Sequence, residues 1–300
     1  MRDIAFRIVA AAIAIVAPIS LTIAQSAAKT DVAKRFEMGF YDVGTLYDTL
    51  RSDHYDHDRY YTPKGILQWT PQRYNRKVRN IAAAIDSLKM PVVALFGVEN
   101  EGVVDDIVAA SNLHYSSIHR TLDFYNKGLD FALLYYADML FIEQIASNGY
   151  LLYISATTAD GERVAIHLST RGYKILNTER PEVYGEYPTV EELNAPVDIT
   201  IVWGKFTSED LERLELAEVL KTHSTLYRSK KGETYNQRYR WHFDSRIGVR
   251  TTTERKINAE IYHRDWLLSP NRVQPEPTYT LGNRYRGGYS KHLPQYIVIE

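Results

Sequence analysis

Six predicted strands of this 300-residue chain end in, or lie beside, a polar residue that could do chemistry. Carboxylates and imidazoles at such positions can bind a divalent cation or move a proton, and a lysine can bind an anion. The carboxyl ends of strands are where α/β folds place such groups. No spacing rule joins them, and any one alone is more typical of a cap or an ion-pair partner. The six are Asp42, Glu99, His167, Lys205, Asp244 and His292.

The segment Ile199–Leu220 shows best how the chain would position such groups. Its first five residues are apolar or β-branched, which predicts a buried strand that ends at Gly204. Thr207 or Ser208 can then cap a helix whose first turn is acidic. This order predicts Lys205 and Thr207 at the carboxyl end of a sheet.

Strand patterns occur along most of the remaining chain, and helical patterns occur mainly in its first half. Apolar residues recur at helical spacing in Gln72–Leu88, and Gly102–Ala110 is also predicted to be helical. Because strands follow strands elsewhere, the sequence favours two sheets with helices outside over a single parallel sheet. The further predicted strands are Phe36–Val43, Val92–Val98, Ser116–His119, Asp130–Tyr136, Leu140–Ile145, Leu151–Thr157, Arg163–Leu168, Arg240–Val249 and Tyr296–Ile299.

The first 24 residues predict a secretory signal peptide. Two arginines flank a short basic region, an apolar run of about 16 residues follows, and small residues stand before Gln25. Residues 25–300 would then form a single domain with no stable membrane span after cleavage. An uncleaved N-terminal anchor is the alternative. The chain has no cysteine, so export without disulfides predicts a bacterial periplasmic or secreted protein.

Near-neutral charge argues against a protein that coats nucleic acid by bulk electrostatics, since the formal net charge is −1. Some of the 23 tyrosines lie near basic residues, a mixture that could stack on bases or sugars. Scattered tyrosines on strand surfaces explain them more simply, so nucleic-acid binding remains uncertain. Those tyrosines are Tyr60, Tyr61, Tyr235 and Tyr239.

Three polar segments have no strand pattern. Asp48–Tyr61 contains His54 and His57 among aspartates and could be a metal-binding loop, although a solvated loop is the favoured interpretation. Ser169–Pro196 is too long for a bare loop and should contain a helix. Ser229–Arg240 is basic and rich in tyrosine, which predicts a hairpin or loop.

Five motifs, taken in order, resemble those of the endonuclease/exonuclease/phosphatase superfamily, from about Phe40 to Ile299. FYDVGTLYDT is similar to the first-strand motif FYNVENLFDT, and ALFGVEN to the LxEVEN motif. Lys127-Gly128-Leu129-Asp130 followed by FALLY is similar to RGIDVALLY. AIHLSTRG resembles the histidine strand, and GGYSKHLPQY resembles GGYSDHLPVY. The resemblance implies an α/β (α+β) fold, a four-layer sandwich of two mixed β-sheets flanked by helices.

The resemblance also implies metal-assisted hydrolysis of phosphoric esters, with Mg²⁺ as cofactor. Carried over by position, Glu99 matches the metal carboxylate, and Asp42 could ligate Mg²⁺ if a metal is bound at all. Asp244 and His292 match the Asp–His pair that orients or activates water. His167 matches the histidine that contacts the phosphate.

Departures from the family pattern fall in that same site. The family's GDFND is GKFTS here, which places Lys205 and Thr207 where an aspartate and an asparagine are expected. SDH becomes SKH, which introduces Lys291, and the first-strand asparagine becomes Asp42. Like charges a few ångströms apart interact by roughly 4 kcal/mol at an effective dielectric constant near 20. Two ammonium groups would therefore oppose a divalent cation strongly, and we expect them to pair with Glu99 and Asp42 instead.

Three functions are compatible with these departures. The favoured one is a degenerate, exported pseudoenzyme whose pocket binds a phosphate-like or other anionic ligand without a cofactor, using Lys205, Lys291, His167 and His292. An active Mg²⁺-dependent phosphodiesterase, nuclease or phosphatase with a divergent site is an alternative. A non-catalytic binding or scaffold protein that keeps only the fold is another.

Overall fold

Two six-stranded β-sheets face each other across the main apolar core. The computed structural model describes residues 34–54, 56–121, 127–148, 150–170, 197–221, 245–268, 280–281 and 284–300. The predicted signal peptide, the loop predicted at Ser229–Arg240 and nearly all of Ser169–Pro196 lie outside the described residues. Lys34–Glu300 forms one compact unit.

The first sheet has the strand order β11-β14-β1-β2-β4-β3. β1 and β2 are parallel, whereas β14 runs antiparallel to β1 and β4 antiparallel to β2. The sheet is therefore mixed, as predicted. Its strands are β1 (Phe36–Leu46), β2 (Val92–Val98), β3 (Ser116–Arg120), β4 (Asp130–Tyr135), β11 (Ile257–Ile261) and β14 (Gln295–Ile299).

The second sheet has the order β5-β6-β7-β8-β10-β9 and is also mixed, because β7 and β8 are parallel and their other neighbours antiparallel. A short hairpin of β12 (Thr280–Leu281) and β13 (Arg284–Tyr285) stands apart from both sheets. The strands of the second sheet are β5 (Leu140–Asn148), β6 (Leu151–Thr158), β7 (Arg163–Ser169), β8 (Ile199–Gly204), β9 (Ala217–Lys221) and β10 (Arg246–Thr251).

Alternation along the strands builds the core between the sheets. Trp203 of β8 is fully buried, and its ring centroid lies 5.4 Å from that of Phe40 on β1 and 6.0 Å from that of Phe131 on β4. These aromatic contacts connect the two sheets across the core. The predicted two-sheet sandwich is confirmed.

Helices α1 (Pro71–Leu88) and α2 (Glu101–Ala110) pack on the outer face of the first sheet through a second apolar cluster. Thr70 and Asn100 cap them, each accepting a backbone N–H three residues on, as N-cap residues do. A helix α3 (Ser208–Arg213) follows β8. In the described part of the chain, no helix is long and apolar enough to cross a membrane.

The segment after β8 differs in part from the prediction. Thr207 caps α3 in a full capping box: its Oγ1 accepts from the Asp210 N–H at 3.0 Å, and Asp210 Oδ2 accepts from the Thr207 N–H at 2.6 Å. However, the helix spans only 6 residues, and β9 follows, which sequence analysis missed. The apolar residues of LELAEVL fit either structure by spacing, and pairing with β10 decides for a strand.

Candidate functional site

The carboxyl ends of β1 and β2 meet the start of β14 at one edge of the first sheet, called the site edge below. Asp42 lies in β1, Glu99 directly follows β2, and His292 precedes β14. The parallel pairing of β1 with β2 brings the first two together, and the antiparallel β14 returns the third to the same edge. Three of the predicted site residues therefore converge through topology.

Close backbone approach shapes this edge. The β1–β2 register shifts between Asp42 and Leu46, and Gly44 has a φ of 79°. Gly97 of β2 has a φ of 93°, and a Cβ there would lie 2.2 Å from the Gly44 carbonyl oxygen. Only glycine fits such a position without displacing the neighbouring backbone, so the irregular end of β1 depends on Gly97.

Asp42 and His292 form an ion-pair contact, with 3.2 Å between His292 Nε2 and Asp42 Oδ2. The other carboxylate oxygen of Asp42 accepts the Gly44 N–H at 2.7 Å. Ser290 links the same two residues through the backbone, because its Oγ donates to the Asp42 carbonyl at 2.6 Å and accepts the His292 N–H at 3.1 Å. Both oxygens of the Asp42 carboxylate are thus engaged by protein groups.

Burial dominates the protonation of this pair. It raises the pKa of Asp42 above the ordinary aspartate value, although His292, the Gly44 N–H, Lys77 and Lys205 all act in the opposite direction. Burial also lowers the pKa of His292, against the attraction of Asp42. Burial therefore favours the uncharged form of both side chains, and the attraction between them opposes it.

Glu99 is fixed by its own loop. Its Oε2 accepts the Asp48 N–H at 2.6 Å. The Asp48 side chain in turn accepts the Asn100 amide at 3.1 Å, while Asn100 Oδ1 caps α2. Glu99 is 4% exposed, so this carboxylate is held in place from one side and shielded from water.

Lys77 is a residue of this edge that sequence analysis missed. It is 0% exposed, and its Nζ donates to the Thr45 carbonyl at 2.7 Å, across the irregular end of β1. Burial and the nearby Lys291 lower its pKa well below the ordinary lysine value, while Asp42 opposes them. Its position could have been noticed, because residue 77 is three after the buried Tyr74 and four before the buried Ile81 on α1.

Lys205 and Lys291, the lysines at the two substituted positions, each interact electrostatically with Asp42. Lys205 follows β8 and is exposed, and its charge favours the ionised form of Asp42. Lys291 is partly buried, which lowers its pKa, and Asp42 opposes that shift. The expected pairing of Lys205 and Lys291 with Glu99 and Asp42 stays a prediction; the Asp42 carboxylate forms an ion-pair contact with His292.

His167 lies elsewhere in the fold. Ile166 and Leu168, its neighbours in β7, face the core between the sheets, so His167 faces the opposite side of the second sheet. Its ring centroid lies 5.0 Å from that of Tyr153. Burial, aided by Arg250, lowers its pKa to about 3. The phosphate-contacting role of His167 stays a prediction.

Two other predictions concern the Asp244 partner of His292 and a metal-binding loop at Asp48–Tyr61. Asp244 lies outside the described residues, so its pairing with His292 stays a prediction. Asp48–Tyr61 holds a 3-10 helix at His57–Tyr61, and Asp58 is fully buried. Within the described ranges, no group of three or more His, Asp or Glu side chains is arranged to hold a metal ion.

Comparison with known proteins gives one family. Residues 37–172 match the Endonuclease/Exonuclease/phosphatase family. No curated protein sequence matches the chain.

Solved structures share the fold at low sequence identity. A Bacteroides thetaiotaomicron protein of the endonuclease/exonuclease/phosphatase family is 11% identical, covers 89% of this chain and 95% of its own, and has a TM-score of 0.54. The Bacteroides vulgatus endonuclease/exonuclease/phosphatase is 11% identical, with 89% and 99% covered and a TM-score of 0.51. D. rerio TDP2, complexed with a single-strand DNA product, is 13% identical, with 89% and 99% covered and a TM-score of 0.50. The predicted superfamily and fold are confirmed.

Proposed function

We propose that this chain, a protein of the endonuclease/exonuclease/phosphatase superfamily, binds a phosphate-like anion at the site edge and lacks metal-dependent hydrolysis. We further propose that it does so as an exported, periplasmic or secreted pseudoenzyme. The ligand is expected to be a small phosphate-containing or other anionic molecule, and a nucleic acid is one form it could take.

The observation that carries the proposal is the charge around Asp42. Lys77 and Lys205 already act on its carboxylate, and Lys291 interacts with it as well. Each ammonium group within a few ångströms of a divalent cation costs several kcal/mol, by an estimate of roughly 4 kcal/mol per pair of unit charges at a dielectric constant near 20. Lys205 and Lys291 therefore oppose Mg²⁺ where the family would bind it, and Lys77 does so only in its charged form.

Ligand geometry supports the same conclusion. Mg²⁺ requires near-ideal octahedral oxygen ligation, whereas among the residues that the structure describes no group of three or more His, Asp or Glu side chains is arranged to hold a metal ion. Protein donors also hold the Asp42 and Glu99 carboxylates, so turning either one towards a metal would break one of these contacts. The described residues thus do not fit the family's Mg²⁺, and no hydrolytic step is assigned to them.

Binding of an anion requires hydrogen-bond donors and positive charge, but no metal ligands. Lysine is a compact cation that binds phosphate as a point charge, and hydrogen bonds to charged groups are stronger than neutral ones. Lys205 is exposed and Lys291 partly buried, so both are accessible from solvent at the edge where His292 lies. Lysines can stabilise a phosphoryl group but do not activate water as a metal does, which supports binding without turnover.

Calorimetric titration of Mg²⁺ and of Mn²⁺ into the metal-stripped protein tests the loss of the metal site. The double variant Lys205→Asp, Lys291→Asp is titrated alongside. We expect binding by the double variant alone. Tight binding by the unmodified protein would overturn the proposal and favour an active metallophosphoesterase.

Titration with inorganic phosphate tests the gain of an anion site. We expect Lys205→Ala and Lys291→Ala each to weaken phosphate binding, because each removes a cation. Lys256→Ala is the matched control, since Lys256 is 71% exposed and pairs with Glu300 at the other end of β14. Equal phosphate affinity in all four proteins would favour a scaffold that keeps only the fold.

Hydrolysis of bis(p-nitrophenyl) phosphate with Mg²⁺ gives an independent readout. We expect no turnover above that of Glu99→Ala. Mg²⁺-dependent turnover that Glu99→Ala abolishes would contradict the absence of metal chemistry.

A further inference from the structure

A groove of ≈ 530 Å³ lies on the outer face of the first sheet, beside the C-terminal end of α1. α1 ends at Leu88, and Lys89 takes the left-handed conformation that stops it. The helix therefore leaves part of the outer face of β14 and β11 open. Ser87–Met90 form one wall of the groove, and the strands form its floor.

The floor is apolar along its centre. Val298 and Leu88 are buried, and Met90 is partly buried beside them. Tyr296 adds a partly exposed aromatic ring from the same strand as Val298. Pairing of β14 with β1 and β11 sets this order, because Val298 lies between Glu37 and Asn258, and Tyr296 lies between Gly39 and Glu260.

Hydrogen-bond donors and acceptors surround this apolar floor. Glu260 accepts the Tyr296 hydroxyl at 2.7 Å, and Arg35 donates to Glu37 at 2.6 Å. The Arg264 guanidinium lies 4.2 Å from the centre of the Tyr262 ring. Asn258 is exposed and brings an amide that can both donate and accept.

Charge in the groove balances. The lining holds three cationic side chains, Arg35, Lys89 and Arg264, against three carboxylates, Glu37, Glu260 and Glu300. A net anion or cation therefore gains no general attraction there. A ligand that suits the groove is neutral, with an apolar face for the floor and hydroxyl groups for the rim. A sugar ring has both.

We propose that this groove is a second binding site, distinct from the site edge, for a neutral oligosaccharide. The C–H face of a pyranose ring packs on Tyr296 and Val298, and its hydroxyl groups exchange hydrogen bonds with Asn258 and the Glu260 carboxylate. The volume lies within the range of about 300 to 1,000 Å³ that is usual for small-molecule sites.

Backbone amide NMR of the full protein, titrated separately with maltotriose, cellotriose and N,N′-diacetylchitobiose, tests the proposal. These probes differ in linkage and substituents but share neutral pyranose rings. At least one is expected to shift the amide signals of Asn258, Glu260 and Tyr296 in a saturable manner. Absence of saturable shifts with all three, or shifts confined to other regions, would overturn the proposal.

Two variants separate this site from a non-specific effect. Asn258→Ala and Glu260→Gln are exposed changes that remove rim hydrogen-bonding groups, and each is expected to weaken binding about three- to tenfold. Glu254→Gln, an exposed carboxylate outside the groove, is the matched control and should bind as the unmodified protein does. Unchanged affinity in both rim variants would refute the assignment. Phosphate titrations of the same variants keep this result separate from that of the site edge.

Discussion

The first sheet contains two buried histidine–aspartate contacts, and they lie in different surroundings. His292 and Asp42 approach to 3.2 Å at the site edge, and His119 and Asp130 approach to 2.9 Å between β3 and β4. The side chains are similarly shielded, at 13% and 7% exposure in the first contact and 8% and 1% in the second. The chemical pair is the same in both places.

What differs is the place of each pair in the sheet, and the Asp42 pair lies where three lysines act on it. Lys77, Lys205 and Lys291 all interact with Asp42. His119 is paired with Ala132 in a regular antiparallel register, so Asp130 lies two residues along β4 from the direct partner of His119. The converging cations make the first pair a candidate for binding an anion.

Lys77→Ala is expected to have the largest effect on stability and would remove the buried lysine beside the Asp42–His292 pair. The change deletes a fully buried side chain and leaves the Thr45 carbonyl without this donor, so we expect a loss of about 2–4 kcal/mol in unfolding free energy. Chemical denaturation measures it. Arg79→Ala, an exposed change on the same helix, should cost less than about 0.5 kcal/mol. A loss for Lys77→Ala as small as that of the control would show that the buried lysine is dispensable for stability.

His167, the buried histidine near Arg250, is expected to make the stability of the protein depend on pH. Its folded pKa of about 3 lies below the ordinary value of 6.5, so the unfolded state binds the proton first as pH falls. Above pH 6.5, the protonation of His167 does not change the free energy of unfolding. At pH 5, it lowers that free energy by about 2 kcal/mol. Burial lowers the pKa of His292 too, so its contribution has the same sign.

Denaturant unfolding of the protein and of His167→Gln between pH 7.5 and 5 measures this contribution. We expect the variant to lose less stability on acidification than the unmodified protein does. Parallel stability curves for the two proteins would contradict a neutral, buried His167.

Matched substitutions in the two pairs test the comparison directly. Asp42→Asn removes a negative charge beside the proposed anion site, so phosphate affinity should rise about three- to tenfold. Asp130→Asn makes the same chemical change in the other pair and should leave phosphate affinity unchanged. Titration with inorganic phosphate measures both. An equal response of the two variants would mean that the lysines do not distinguish the pairs.

Thr207→Ala has the smallest expected effect. Because Thr207 caps α3, we expect a loss of about 1 kcal/mol in unfolding free energy and no change in phosphate affinity. Thr252→Ala, an exposed change in the β10–β11 connection, is the control. A marked loss of phosphate affinity in Thr207→Ala alone would add this hydroxyl to the anion site.

Much of the fold followed from local patterns. The alternation in Phe36–Val43, the apolar run Val92–Val98 and the amphipathic Gln72–Leu88 each became the element predicted, because burial of one face decides such segments. β9 was missed, since its apolar spacing is ambiguous and only its pairing with β10 selects a strand. The described residues do not test the helix expected within Ser169–Pro196.

The site was predictable only in part. Motif order identified Asp42, Glu99 and His292, and the fold brings these three to one edge. Lys77 escaped because a lysine on an amphipathic helix is expected to face solvent, and only packing showed that it is buried. His167 was expected at the same site, but alternation along β7 turns it to the other face of the second sheet.

Sequence by itself determined the superfamily resemblance, the two-sheet class and the lysine substitutions, since these depend on residue type, order and periodicity. Tertiary structure alone decided which charges share a site. Electrostatic interactions depend on distance and burial, and neither can be read from residue spacing along the chain. Strand pairing therefore gave Asp42 a histidine partner and a buried lysine neighbour, and residue spacing alone predicts neither.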